Sequence, residues 1–113
     1  METKTVKIGK NEFLFINSWK NTRNGFAHIT ELHHGGRCIS EAKVNYLNRT
    51  WESYTYQTSM MQAVENAIAQ REYDLIEEFK SSKGITRTTK AQKELACNGD
   101  ARLELLNKLY KEL

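Results

Sequence analysis

The sequence contains no proline, only two cysteines and no long apolar run. Without proline, helices and strands have to end at glycine, asparagine or capping residues. Cys38 and Cys97 cannot form the disulfide framework of a small secreted protein, so we expect a reducing compartment. Apolar runs of a few residues predict no membrane-spanning helix. Residues 1–4 lack the apolar stretch of a secretory signal, which favours a cytoplasmic protein.

A large excess of charge of one sign is also missing. Seventeen basic and fourteen acidic side chains leave a formal net charge of +3, which argues against an acidic mimic of DNA. The charges are nevertheless uneven along the chain. Residues 65–78 carry five acidic side chains and one basic one, whereas residues 79–93 carry five basic side chains and no acidic one. We call residues 79–93 the basic segment.

The first half of the sequence has the two-residue alternation of antiparallel strands. Residues 5–19 place Phe13, Phe15 and Trp19 on one face of a strand. A break at residues 9–11 can divide this stretch into a short hairpin. We therefore expect an antiparallel meander of three strands, or of four if the first stretch is divided.

Two glycine-containing turns separate the stretch at residues 5–19 from the strands predicted at residues 26–32 and 37–48. The turn at Asn24-Gly25 is a strong hairpin signal, because this pair adopts positive φ at low cost. The second turn contains Gly35-Gly36. In the last strand, the alternation predicts that Cys38 is buried on the apolar face.

Apolar residues in the second half recur at spacings of three, four and seven residues. This period predicts one helix from about Thr58 to Lys80, packed across the sheet to close a two-layer core. Thr55 or Thr58 can cap its start, and Gly84 is a natural stop. The predicted apolar face comprises Met61, Val64, Ile68, Leu75 and Phe79.

Two short helices are predicted to follow the long one. Thr89 and Gln92 match a capping box at the start of the first, which ends at Asn98-Gly99. Asp100 caps the second. Its apolar stripe consists of Leu103, Leu106, Leu109, Tyr110 and Leu113. This stripe needs a partner, which is either the second face of the sheet or another chain, as in a homodimer.

Together these elements predict an α+β fold. It has a three- to four-stranded antiparallel β-meander packed by one long helix and followed by two short C-terminal helices. Residues 1–83 form the meander and long-helix domain. Residues 84–113 form a helical appendage that packs on this domain or on a partner.

No motif of an enzyme or a cofactor site is present. The sequence lacks a Walker loop, a dinucleotide-binding glycine motif, a nucleophile elbow and a zinc-protease helix motif. His33, His34 and Cys38 are close together, but their spacing matches no known zinc pattern. Neighbouring strand residues also point to opposite faces. We therefore expect no catalytic activity, no cofactor and no metal.

Basic side chains are the candidate contacts with a partner or with nucleic acid. The basic segment supplies Lys80, Lys83, Arg87, Lys90 and Lys93, and the hairpin ends supply Lys20, Arg23 and Arg37. Together they would form a discontinuous phosphate-binding surface if the fold brings them together. The alternative is a solvated helix end, since lysines are also favourable near a helix C-terminus.

Three aromatic residues follow the last predicted strand. Trp51, Tyr54 and Tyr56 lie close to Arg49 in the sequence. They are either a platform on which bases stack or core residues at the corner between the sheet and the helix.

The segment Asn48-Arg-Thr-Trp-Glu52, followed by Tyr54-x-Tyr56-Gln57, resembles small proteins of phages and mobile elements in Gram-positive bacteria. Residues 24–28 and Tyr46 fit the same pattern, so the resemblance covers about residues 24–70. Members with a known role are often inhibitors of host defence, including type II anti-CRISPR proteins that bind the Cas9–guide RNA complex.

The resemblance implies a non-enzymatic inhibitor that binds a host protein or ribonucleoprotein in the bacterial cytoplasm. Its positive charge would contact guide RNA or a phosphate-facing channel. The alternative is a small nucleic-acid-binding regulator that uses the basic segment, with binding that weakens steeply as salt rises. A third interpretation is an oligomeric structural protein assembled through its C-terminal leucines.

Overall fold

The computed structural model describes residues 1–47 and 55–113. In these residues four strands precede three helices, which confirms the α+β fold. The strands are β1 (Glu2–Ile8), β2 (Asn11–Thr22), β3 (Gly25–His34) and β4 (Arg37–Tyr46), and the helices are α1 (Gln57–Lys83), α2 (Lys90–Cys97) and α3 (Ala101–Glu112). The strands form one antiparallel sheet in the order β1-β2-β3-β4, so the predicted first stretch is indeed divided.

The hairpin turns lie where they were predicted, but Gly25 is needed for a different reason. Gly9, Gly35 and Gly36 have positive φ, whereas Gly25 does not. A Cβ atom on Gly25 would collide with the backbone carbonyl of Tyr46 in β4. The glycine therefore permits a close approach of two backbones, and the prediction of positive φ is wrong.

The core lies between one face of the sheet and the helices α1 and α3. We call this the core face of the sheet and the opposite one the outer face. The core cluster comprises Phe13, Phe15, Leu32, Ala42, Met60, Ala63, Val64, Ala67, Leu106 and Leu109. One core therefore joins residues from the sheet, from α1 and from α3.

Trp19 lies on the core face by alternation but is 46% exposed. The pairing of β1 with β2 ends at Asn17, so Trp19 lies beyond the end of the neighbouring strand. The prediction that Trp19 shares a face with Phe13 and Phe15 is confirmed.

Helix α1 contacts the sheet through a face that overlaps the predicted one only in part, at Val64 and Ile68. Its buried residues are Ser59, Met60, Ala63, Val64 and Ala67, all in its first half. Of the predicted apolar face, Val64 is buried, whereas Met61, Ile68, Leu75 and Phe79 are half-buried. The small side chains of Ser59, Ala63 and Ala67 let the helix backbone lie close to the sheet. The larger side chains of the predicted face lie beside this contact.

Helix α1 begins one residue earlier and ends three residues later than predicted, and its N-cap differs from the prediction whereas its stop does not. The N-cap residue is Tyr56, with no side-chain capping bond, so neither threonine holds the N-cap position. Thr55 Oγ1 still accepts a hydrogen bond from the Gln57 N–H at 3.3 Å. At the other end Gly84 is left-handed, with a φ of 65°, which confirms it as the stop.

The capping predictions for the short helices are confirmed. Thr89 and Gln92 form the reciprocal capping box of α2, and Asp100 caps α3 by accepting from the Leu103 N–H. Helix α3 packs against α1 and β1 on the core face, not on the outer face. Its leucine stripe therefore has its partner within the chain and gives no reason for a homodimer.

A β-bulge between β3 and β4 overturns the predicted position of Cys38. Leu32 pairs with Ser40, but His33 pairs with Cys38, which leaves Ile39 as the extra residue on β4. Cys38 therefore lies on the outer face beside His33 and is exposed rather than buried. Ile39 packs against the core in its place.

The molecule is elongated. Its radius of gyration is 16.7 Å, whereas a compact chain of this length has about 13 Å. The cause is the second half of α1, which carries no buried residue and packs against α2, itself without buried residues. No helix in the described ranges is both long and apolar enough to cross a membrane.

Candidate functional site

The structure brings part of the basic segment together at the end of α1. Lys80 belongs to the last turn of α1, Arg87 to the connection after it, and Lys93 to α2. All three line one open groove of about 410 Å³, which we call the basic groove. The remaining lining residues are Tyr73, Ile76, Glu77 and Thr88.

Local sequence signals build this groove. Gly84 ends α1, and the capping box of Thr89 starts α2 five residues later. The short connection turns α2 back along α1, so that cations distant in the sequence face each other. The two remaining predicted residues lie nearby but outside the lining. Lys83 lies over the Phe79 ring, 5.9 Å from its centre, and Lys90 is exposed in the first turn of α2.

The cations of the groove differ in their partners. Lys80 Nζ forms an ion pair with Glu77 Oε1 at 2.9 Å. Among the described residues, Arg87 and Lys93 form no ion pair. Their charges are therefore available to an external anion.

The position of the lysines in α2 also favours an anion. The first turn of α2 contains Lys90 and no acidic residue, although the helix dipole favours acidic side chains at this end. A helix optimised for stability alone would carry the opposite charge there. The positive end of the dipole and the lysines together create a positive potential beside the groove.

A second, larger groove continues from the basic groove between α1 and α2. Its volume is about 910 Å³, and Tyr73, Ile76 and Lys93 line both grooves. Tyr73 is 61% exposed and Leu95, which lines the second groove only, is 65% exposed. We call this second surface the apolar groove, although the charged side chains of Glu72, Lys93 and Glu94 also line it. Together the two grooves combine cations with exposed apolar side chains.

The structure does not bring the hairpin residues to the basic groove. Arg23 lies in the turn between β2 and β3, with Lys20 close to the same end, whereas Arg37 begins β4 at the opposite end of the sheet. The two ends are separated by the length of β3, about 30 Å. None of the three residues lines the basic groove.

Helix α3 holds α1 in place through an ion pair that the sequence did not predict. Arg71 donates to both carboxylate oxygens of Asp100, at 2.8 and 3.1 Å. The Arg71 guanidinium lowers the pKa of Asp100 below its usual 3.8. The same carboxylate caps α3, so one side chain fixes the start of α3 against the middle of α1.

A buried polar network connects the sheet to α1. Thr30 Oγ1 donates to Asn17 Oδ1 at 2.7 Å and lies 2.6 Å from Ser59 Oγ, which in turn donates to the Tyr56 carbonyl. Two hydroxyl protons serve these three contacts, so the proton of either Thr30 or Ser59 is shared between two acceptors. The signal for this network was Asn17, a polar residue on an otherwise aromatic face.

His28 is a buried titratable group that lies two residues before Thr30 on β3. It is 5% exposed, and its ring contacts the rings of Phe26, Tyr46 and Tyr56. Burial lowers the pKa of His28 below 6.5, and a hydrogen bond with the Thr55 backbone opposes this shift. Among the described residues, His28 Nδ1 has no hydrogen-bond partner.

The aromatic platform lies mostly outside the described residues. Trp51 and Tyr54 are in the undescribed segment, as is the Asn48–Glu52 stretch that carries the resemblance. Tyr56 is described, and it packs half-buried against the core and the His28 ring, 4.5 Å away. For Tyr56 the structure therefore supports a role in the corner between sheet and helix.

No family model matches the sequence, and no curated protein or solved structure matches it.

Proposed function

We propose that the protein is a non-enzymatic inhibitor from a phage or mobile element that binds a host defence ribonucleoprotein, the Cas9–guide RNA complex. The observation that carries the proposal is the convergence of Lys80, Arg87 and Lys93 on one groove. The phage setting comes from the resemblance of residues 48–57.

The basic groove suits the phosphate groups of an RNA backbone. Arg87 has a planar guanidinium that can bind two phosphate oxygens at once, and Lys93 adds a second charge. Among the described residues, neither Arg87 nor Lys93 forms an ion pair that phosphate binding would break. Tyr73 contributes an exposed ring at the edge of the groove.

The apolar groove favours a ribonucleoprotein over free nucleic acid. Exposed aromatic and aliphatic side chains are the typical anchors of protein–protein interfaces. Tyr73 and Leu95 provide such anchors next to the cations. A partner that offers both phosphate and an apolar protein surface would use both grooves.

The second candidate function is a small regulator that binds nucleic acid directly. The five cations and the absence of acidic residues in the basic segment favour it. This function needs no protein partner, and its affinity would fall steeply with salt.

Co-purification distinguishes the two functions. The tagged protein is expressed in a Gram-positive host with a type II CRISPR system and recovered with and without nuclease. Cas9 retained after nuclease treatment supports the inhibitor. Nucleic acid alone, lost on digestion, supports the regulator. Recovery of neither contradicts both.

Paired charge reversals locate the surface. We expect the double variant Arg87→Glu, Lys93→Glu to bind purified Cas9–guide RNA more weakly by about tenfold or more. The slope of the logarithm of the binding constant against the logarithm of the salt concentration should become less steep by about 2. The control is Lys10→Glu with Lys108→Glu, which changes the net charge equally outside the basic groove. Equal loss in both variants would show that only net charge matters and would contradict the assignment of the groove.

A further inference from the structure

We propose that Glu31, His33 and Cys38 form a binding site for a divalent transition-metal ion such as Zn²⁺ on the outer face of the sheet. One donor atom from each side chain lies within 4.8 Å of the other two. His33 Nε2 and Glu31 Oε1 are the pair with a direct contact, at 2.9 Å. The sequence spacing did not predict this set, because alternation places Cys38 on the face opposite to Glu31 and His33.

The β-bulge creates the cluster. In a regular ladder His33 would pair with Ile39, and Cys38 would share the core face with His34. The extra residue in β4 instead places Cys38 directly opposite His33. Bulges often reorient a side chain next to a functional site, and here the bulge brings a thiol to an imidazole.

The donor set selects the metal. Mg²⁺ and Ca²⁺ prefer oxygen ligands alone, whereas zinc accepts sulfur, imidazole nitrogen and carboxylate oxygen in one site. In a tetrahedral zinc site neighbouring donors are about 3.3–3.8 Å apart, from bond lengths of about 2.0–2.3 Å. The three donor atoms now lie at most 4.8 Å apart, so small side-chain rotations would bring them to the separations of a zinc site.

Metal binding would exchange existing weak contacts for ligand bonds. The Cys38 thiol now donates to the Ser40 carbonyl at 3.4 Å, and its proton would pass to solvent as the sulfur binds the metal. His33 Nε2 would leave its hydrogen bond with Glu31 and bind the metal as a neutral imidazole. Three protein ligands leave a fourth position for water or for a small ligand.

The charges around the cluster also favour a cation. Glu31 and Glu41 lie directly opposite each other on β3 and β4, on the outer face. Like charges in this arrangement destabilise a sheet. A bound cation beside Glu31 would relieve this repulsion.

Cobalt binding tests the site with a signature specific to sulfur. The metal-free chain, without a histidine tag, is titrated with Co²⁺ and followed by absorption. We expect one equivalent to give a thiolate-to-cobalt charge-transfer band that Zn²⁺ abolishes by competition. Cys38→Ser is expected to remove the band, and His33→Gln to weaken Zn²⁺ binding by more than about tenfold.

Two matched variants serve as controls. Cys97→Ser changes the other cysteine, on α2, and His34→Gln changes a histidine that stacks on Phe13 on the core face. Both are expected to keep the band, with folding of every variant checked by circular dichroism. The absence of the band in the unmodified chain, its persistence in Cys38→Ser or its loss in Cys97→Ser would each overturn the proposal.

Discussion

His28 couples the stability of the protein to pH at the scale of a single residue. Its ring is enclosed by aromatic side chains, and burial lowers its pKa below 6.5. Between the lowered pKa and 6.5 the unfolded chain binds a proton that the folded chain does not. The free energy of unfolding therefore rises with pH in this window.

We expect the unmodified protein to lose stability as the pH falls from about 6.5 toward the lowered pKa of His28. His28→Phe should flatten this part of the profile, because the group that titrates differently in the two states is gone. Urea denaturation at a series of pH values measures the effect, and His34→Gln is the control. An unchanged slope in His28→Phe would contradict the assignment.

At the scale of elements, Gly25 lies where the backbones of β3 and β4 are too close to leave room for a side chain. A Cβ there would meet the Tyr46 carbonyl, which is backbone and cannot rotate away. We expect Gly25→Ala to lower the free energy of unfolding by about 3 kcal/mol. Chemical denaturation measures this change.

Gly84 supplies the comparison for Gly25. It has positive φ but open space around its α-carbon, so Gly84→Ala should cost only about 1 kcal/mol of backbone strain. If Gly25→Ala proved as mild as Gly84→Ala, the close approach of the two strands would not be the reason for the glycine.

Local signals predicted the elements of this fold well. Alternation, glycine turns and the caps at Thr89 and Asp100 each depend on residues close together in the sequence, and the structure confirms the resulting helices and four-stranded sheet. Alternation failed at Cys38 because a one-residue bulge inverts the faces beyond it. A bulge of this kind leaves no clear sequence signal.

The candidate sites were less predictable than the elements, because they join distant residues. The pairing of Arg71 with Asp100 and the meeting of Lys80 with Lys93 depend on how helices pack, which the helical period does not specify. The apolar face of α1 shows the same limit. Ala63 and Ala67 face the sheet although larger side chains stand beside them.

At the scale of the whole molecule, burial is concentrated in the sheet, the first half of α1 and α3. Helix α2 buries none of its residues, and the second half of α1 buries none either. Segments with few buried contacts open at lower free energy than the core. We therefore expect amide hydrogens in α2 to exchange faster than those in β2 and β3, as measured by hydrogen exchange with mass spectrometry.

Binding of a partner should reduce that difference in exchange rate. If the grooves between α1 and α2 are the interface, protection of α2 should increase in the complex while protection of β2 and β3 changes little. Protection of α2 as strong as that of β3 in the free protein would contradict the uneven distribution of stability.

The unbroken helix α1 has a geometric consequence for the inhibition that we propose. The part of α1 between its last buried residue, Ala67, and its end at Lys83 is about 24 Å long. A continuous helix sets the direction in which the sheet projects from anything that the grooves bind. A small contact on a ribonucleoprotein would thus position a folded bulk beside it, and steric occlusion could extend well past the surface that is touched.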